Sequence, residues 1–319
     1  CFACAGGSTM GYKLAGFDVV GCNEIDPKVF DIYKRNHRPK HGFVCSIRDM
    51  IDRDLPDELF DLDILDGSPP CTSFSTAGNR DKDWGKIKKF SEGQAFQRLD
   101  DLFFEFIALA AKLKPKIVIA ENVTGMIKGK AKGYVKEIAR AFDVAGYDVQ
   151  LFNLNAATMG VPQARQRVFF LARRKDLNLP KIKINFNEKP ISFGEACDQL
   201  DPCPHDKTRL TPWAYKLWSN VKQGQQLAKA HPDGAMWNHV RIASRKPCPT
   251  LAAAAGVTYH PTKPRLLNVN EWTACSSFPV DMDWGSWSTT KAKWAMGMSV
   301  PPFMVQRIAL EVKKQWLDR

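Results

Sequence analysis

The sequence predicts an α/β fold: a sheet with helices on both faces, joined to a smaller, irregular and mostly β domain. Three observations predict it. Residues 1–176 alternate short apolar runs with longer runs of helical period. That alternation stops after about Lys175, where Pro, Trp, Lys and short strand-like pieces take over. An amphipathic helical pattern then returns at residues 303–317. The expected division is a large domain at 1–176, completed by 285–319, and a smaller one at 177–284.

The expected strands are 17–22, 62–65, 116–120, 147–152 and 168–172. Cys1-Phe2-Ala3 reads as the end of a buried strand, with further residues expected before it. Asp26-Pro27 starts a helix, a capping carboxylate followed by proline at the first helical position. Residues 98–114 form the strongest helix. Leu99, Leu102, Phe103, Phe106, Leu109, Ala110 and Leu113 keep its apolar stripe, and Pro115 stops it. Strand-helix alternation implies a parallel sheet, and such sheets bind ligands at the carboxyl ends of their strands.

Charge adds a second constraint. Across 319 residues, 46 Lys and Arg face 34 Asp and Glu, a net charge of +12, which favours an anionic partner, nucleic acid first. Residues 177–264 hold 12 basic against 6 acidic residues, half of that excess, interleaved with Trp213, Tyr215, Trp218 and Trp237. No apolar run reaches the ~18–20 residues of a membrane span. Nine scattered cysteines do not form a disulfide framework and read as free thiols in a reducing compartment. No secretory leader is read. Cys1 and Cys4 have metal-ligand spacing, but no converging set of four ligands accompanies them, so no metal is expected.

The strand ends carry the chemistry. Ala5-Gly6-Gly7-Ser8-Thr9 is a glycine turn into a helix, where a cofactor can approach the backbone. Glu24, at the next strand end, can accept hydrogen bonds from two ribose hydroxyls. Pro69-Pro70-Cys71 puts a thiol on a rigid loop, where nearby positive charge would favour the thiolate. Glu121 is a carboxylate at a buried strand end, costly unless paired or functional. Arg165 and Arg167, two residues apart on an extended segment, share one face and suit a phosphate or a pyrimidine carbonyl.

With these residues in order, the chain resembles the DNA cytosine-5 methyltransferases over nearly its full length. Phe2-Ala3-Cys4-Ala5-Gly6-Gly7 resembles that family's cofactor loop and Asn23-Glu24-Ile25-Asp26 its ribose block. Pro69-Pro70-Cys71, Glu121-Asn122-Val123 and Gln163-Ala164-Arg165-Gln166-Arg167 match its catalytic blocks. Arg265, Glu271 and Phe278-Pro279 resemble the block after the recognition domain, and Gly297-Met298-Ser299-Val300-Pro301-Pro302 the closing block. Cys4 stands where the family usually has Gly, Ser46 where it has Asp, Thr72 where it has Gln and Met298 where it has Asn.

The resemblance implies a Rossmann-like S-adenosylmethionine-dependent methyltransferase sheet and a target-recognition domain at 177–284. It implies S-adenosyl-L-methionine as cofactor, S-adenosyl-L-homocysteine as product, and methylation of carbon 5 of a flipped-out cytosine in a specific duplex sequence. Cys71 would be the nucleophile, with Glu121, Arg165 and Arg167 around the base. Phe2, Ala5, Gly6, Gly7, Glu24, Ile25, Ser46, Ile47, Pro70, Leu102, Ser299 and Val300 would hold the cofactor. Ser75, Arg80, Lys82, Lys86, Lys88 and Lys89, on a loop at 72–91 that closes on DNA, would contact the duplex, with Arg209, Arg241 and Arg245 from the recognition domain. A monomer in the cytoplasm, associated with the nucleoid, follows, with room for a restriction endonuclease partner. An RNA-acting relative would carry Cys-Phe-Thr between Arg167 and Arg265, and that tripeptide is absent. A binding protein without activity would not need Cys71, Glu121 and Arg167 together.

Overall fold

The computed structural model describes residues 1–70, 101–128, 131–200, 203, 208–253 and 257–318, with the backbone of two short strands at 87–88 and 97–98. The chain opens with α1 (Gly7–Leu14), β1 (Gly21–Glu24), α2 (Pro27–His37), β2 (His41–Val44), α3 (Ile47–Asp52) and β3 (Ile64–Gly67). β4 (Ile87–Lys88) and β5 (Gln97–Arg98) pair antiparallel. α4 (Leu102–Leu113), β6 (Ile117–Val123), α5 (Lys132–Val144), β7 (Tyr147–Asn155), β8 (Gln163–Ala164) and β9 (Gln166–Arg174) follow.

Local chemistry sets the helix ends. Asp26 accepts from the amides of Lys28 (2.8 Å) and Val29 (3.4 Å) with Pro27 at the first turn, so α2 starts where expected. α4 ends at Lys114, whose left-handed φ of 53° precedes Pro115. It begins at Leu102 rather than at 98, because Arg98 belongs to β5.

The main sheet has the order β3-β6-β9-β7, and β1-β2 form a separate parallel pair. β3 and β6 are parallel, as expected, but β9 runs antiparallel to both β6 and β7. This corrects the all-parallel expectation. A parallel return needs a crossover of a dozen or more residues, and the short link from β7 to β9 contains no helix that could make one. The first strand also begins later than expected, at Gly21. Cys1 to Ala3 are not a strand: Phe2 and Cys4 have φ of 55° and 46°. They bridge the two sheets instead, the Cys1 nitrogen donating to the Asp66 carbonyl (2.6 Å) and the Ala3 amide to that of Asn23 (3.0 Å). A cavity of about 330 Å³ beside these residues has a mixed lining, with Val20, Leu62 and Leu65 next to Asp18, Asp63 and Asp66.

Strand periodicity divides the core. Val118 and Ala120 of β6, with Phe170 and Ala172 of β9, face α4 and Phe103, Phe106 and Leu109. Ile117, Ile119, Phe169 and Leu171 point to the opposite face. That face is covered by α1 and by α10 (Pro302–Val312) through Tyr12, Met304, Val305, Ile308 and Ala309. Residues 303–317 are therefore helical as expected, except that Lys313–Leu317 widens into a π turn.

Before α10 come α6 (Phe193–Cys197), α7 (Pro212–Ser219), β10 (Gln225–Gln226), β11 (Val240–Arg241), β12 (Cys248–Pro249), β13 (Thr258–Tyr259), α8 (Val269–Cys275) and α9 (Thr289–Met298). The region is irregular, but the mostly β expectation does not hold. Its strands are two residues each, whereas α7 and α8 run eight and seven. A small core of Leu217, Trp218, Val221, Leu227 and Tyr259 stabilises it. β12 pairs parallel with β8, which continues through Arg165 into β9 and so attaches the region to the main sheet.

Candidate active site

The antiparallel turn of β9 builds the centre. Its amino end lies at the carboxyl edge of β6, with Val123 opposite Arg167 and Glu121 opposite Phe169. Arg167 Nε therefore reaches Glu121 Oε1 at 2.9 Å, with the two side chains 14% and 11% exposed. Arg167 Nη1 also donates to the Gln166 carbonyl (2.7 Å). Burial pushes the Arg167 guanidinium down, and the Glu121 carboxylate pulls it back up. The neighbouring Asn122 donates through Nδ2 to the Pro69 carbonyl (3.0 Å), while its Oδ1 accepts from the Val123 amide (2.8 Å). One strand end thus supplies both the acid and the anchor of the Pro-Pro loop. Cys71, Ser75, Arg80, Lys82, Lys86, Lys89 and the side chain of Lys88 lie outside the described residues.

Arg165 departs from its expected role. Its Nη1 donates to the carbonyls of Leu251 (3.0 Å) and Gly297 (3.1 Å), and its Nη2 to those of Gly297 (3.1 Å) and Ser299 (3.0 Å). The guanidinium ties Leu251 of the smaller region and residues 297–299 to the main sheet rather than sharing Arg167's contact with Glu121. The residue is 3% exposed, and burial pushes its pKa down to about 9, with Arg167 acting in the same direction. It stays charged at neutral pH. Gln163, which the sequence places in the same block without an expected role, works beside it: Nε2 donates to the Cys275 carbonyl and Oε1 accepts from the Leu251 amide, both at 3.1 Å.

Glu24, Ile25, Ser299 and Val300, of the residues expected at the cofactor, lie against the glycine loop. Glu24 Oε2 accepts from the Cys4 amide (2.8 Å), and Oε1 from those of Ile25 (2.9 Å) and Asp26 (3.1 Å). Burial pushes the Glu24 carboxyl above its usual range, and these amides pull it part-way back. Gly6 caps α1 with φ 84° and no side-chain hydrogen bond, so the first α1 amides have no side-chain cap. A Cβ on Gly7 would stand 2.3 Å from the Val300 carbonyl oxygen, which shows how closely the closing block covers the loop. These features fit a nucleoside cofactor with polar groups at both ends. Phe2, Ile25 and Pro70 are partly exposed, whereas Ala5, Ile47, Leu102, Ser299 and Val300 are buried. Ser46 serves as the N-cap of α3, its Oγ accepting from the Arg48 amide (3.3 Å) while Asp49 accepts from the Ser46 amide (3.1 Å).

Of the three arginines expected to meet DNA from the smaller region, Arg209 and Arg245 are exposed. Arg241 is not free to reach a phosphate in this geometry. It donates to the carbonyls of Pro261, Trp218 and Val221 and lies 4.0 Å over the Trp218 ring. Trp213, Tyr215 and Trp237 are 45%, 51% and 61% exposed. The buried Glu271 accepts from Arg265 Nη1 (2.8 Å) and Nη2 (2.6 Å), with His260 Nε2 3.4 Å away. Among the described residues no group of His, Cys, Asp and Glu could hold a metal, and no helix is long and apolar enough to cross a membrane.

The family model for C-5 cytosine-specific DNA methylases matches residues 1–314, and the chain belongs to that family. It is 36% identical over 250 residues to the type II methyltransferase M.NgoPII of Neisseria gonorrhoeae, covering 77% of this chain and 64% of that one. It is 35% identical over 276 residues to M.FnuDI of Fusobacterium nucleatum, covering 85% and 74% respectively. Thus the chain spans a little under two thirds of the first relative's length and about three quarters of the second's. Among solved structures it superimposes on a prophage-encoded Escherichia coli protein with a TM-score of 0.73 at 20% identity, over 100% of this chain and 98% of that one. On Spodoptera frugiperda DNMT2 the score is 0.65 at 16% identity, over 96% of each chain. These two likenesses establish the shared methyltransferase fold.

Proposed function

We propose that this chain transfers the methyl group of S-adenosylmethionine to carbon 5 of cytosine in a specific double-stranded DNA sequence. Family membership supports the reaction, and the Glu121–Arg167 pair is the observation that carries it to this chain's own residues. Carbon 5 of cytosine is a poor nucleophile. Addition of the Cys71 thiolate to carbon 6 forms a sulfur–carbon bond and moves the double-bond electrons towards carbon 5 and N3. Glu121 would meet N3 and the exocyclic amine, which selects cytosine, while Arg167 holds the O2 carbonyl. When bound, S-adenosylmethionine would supply the electrophilic methyl. Loss of the carbon-5 proton then expels Cys71 and restores the ring.

The glycine loop, Glu24, Ile25, Ser46 and the closing block would hold the cofactor. Residues 177–284 would recognise the target, with Arg209, Arg245 and the exposed Trp213, Tyr215 and Trp237 as the surface that meets DNA. The target atom is inaccessible in a stacked helix, so the base is flipped out. The chain would act as a monomer on nucleoid DNA, and its likeness to two type II methyltransferases supports a restriction-modification setting. The test is transfer of labelled methyl from S-adenosylmethionine to duplex DNA, followed by bisulfite sequencing. The proposal expects 5-methylcytosine within one short sequence context, and no 5-methylcytosine would refute it.

A further inference from the structure

Below the glycine loop, α2 turns its inner face towards α1. Tyr33 and His37 lie one helical turn apart, 0% and 5% exposed, with ring centroids 4.7 Å apart. Two hydrogen bonds join the helices there: Tyr33 Oη with Thr9 Oγ1 (2.8 Å), and Lys13 Nζ to the His37 carbonyl (3.0 Å). The His37 ring contributes a third, with Nε2 3.3 Å from the Ala5 carbonyl oxygen. Its Nδ1 is buried and has no partner among the described residues. A carbonyl oxygen only accepts, so Nε2 carries a proton, and the buried, unpartnered Nδ1 beside Lys13 goes with a neutral ring. Burial, reinforced by Lys13, holds the His37 pKa down at about 4. A Cβ on Gly6 would stand 2.0 Å from Nε2, so the imidazole fills the space that a side chain at position 6 would need.

We propose that His37 is a positioning residue for the cofactor loop, its ring and Nε2–H holding the Ala5–Gly6 peptide in the left-handed turn from which the first amides of α1 face the cofactor. The proposal rests on the reading of this loop as the S-adenosylmethionine site. Without the donor, the Ala5 carbonyl is buried unpaired and the turn loses its support from below. His37 is buried and its contacts are with Ala5, Lys13 and Tyr33, so its effect belongs to the cofactor loop.

The test is calorimetric titration of S-adenosylhomocysteine into the full chain, without DNA, for wild type, His37→Leu and His37→Gln. Wild type binds, His37→Leu binds about tenfold more weakly, and His37→Gln, which keeps an N–H at similar reach, stays within about threefold. Duplex affinity is unchanged in both variants. Equal binding by His37→Leu and wild type would overturn the proposal. No binding by wild type would instead overturn the reading of the loop, and this proposal with it. Should His37→Leu not fold, nitrogen NMR of the wild-type ring decides. An Nε2–H tautomer whose signal moves on adding S-adenosylhomocysteine supports the proposal, and an Nδ1–H tautomer or an unmoved signal overturns it.

Discussion

Arg167 and Glu121 meet at 2.9 Å because β9 returns antiparallel beside β6, so that the start of one strand and the end of the other share an edge. The pair is held by strand register and not by a flexible loop, which suits groups that must meet a flipped base in fixed geometry. Replacing either residue removes one partner of a nearly buried ion pair. Arg167→Met and Glu121→Gln are each expected to lower single-turnover methyl transfer by about 10²- to 10⁴-fold. The double variant falls no more than about tenfold below the worse single one, because the two act as a unit. Rapid-quench assays check this, and multiplicative losses would separate the two roles.

Arg165 carries an architectural load. Arg165→Met leaves the carbonyls of Leu251, Gly297 and Ser299 without the guanidinium that serves them. Urea unfolding is expected to show a loss of about 3 kcal/mol. Arg165→Lys recovers less than half, since one ammonium cannot match a planar fork on three carbonyls. An unchanged midpoint would remove Arg165 from this role.

How much of this was legible depended on the kind of interaction. The apolar stripe of α4 from Leu102 to Leu113 and the Asp26-Pro27 start of α2 are local, and both agree with the structure, although α4 starts later than residue 98. Strand direction is not local. A buried strand of either direction reads as an apolar run, so only the link between residues 155 and 166, too short for a helical crossover, points to an antiparallel return. Period-two spacing put Arg165 and Arg167 on one face, but Arg165 sits in the break between β8 and β9 and its guanidinium turns to the closing block. Arg241 reads as a DNA contact from its charge and its place in the expected recognition domain. Its bonds to Pro261, Trp218 and Val221 come from residues about twenty positions away in either direction, which composition cannot show. His37 gave no signal, because its partner is a backbone carbonyl.

The Glu271 cluster predicts an acid transition. Burial pushes the carboxyl up, but hydrogen bonds from Arg265, His260 and the Asn268 amide outweigh it and hold the pKa at about 2, against an ordinary 4.5. Between these values the unfolded chain binds a proton that the folded chain does not. Glu271 therefore stabilises the fold above about pH 4.5, and that stabilisation is lost as pH falls towards 2. Chemical denaturation from pH 5 to 2.5 should show a shallower decline for Glu271→Gln than for wild type, from a lower starting stability. Parallel declines would contradict the assignment.

Two glycines set how closely the closing block approaches. A Cβ on Gly297 would stand 2.6 Å from the carbonyl carbon of Ala252, and one on Gly7 2.3 Å from the Val300 oxygen. Both obstacles are backbone and cannot rotate aside. Gly297→Ala and Gly7→Ala are expected to cost about 1–3 kcal/mol each by forcing this joint apart. Gly133→Ala, with nothing within 4 Å of the added carbon, is the control and should not destabilise. Thermal melts of the three variants check the ranking.

The central claim is covalent attack by Cys71 on a cytosine set between Glu121 and Arg167. Its most direct test is incubation of the full chain with S-adenosylmethionine and a target duplex carrying 5-fluorocytosine, whose fluorine cannot leave as a proton does. The account predicts a denaturant-stable protein–DNA adduct, mapped by mass spectrometry to the peptide containing Cys71 and absent in Cys71→Ser. An adduct on another residue, or methylation of ordinary cytosine by Cys71→Ser at the wild-type rate, would contradict it.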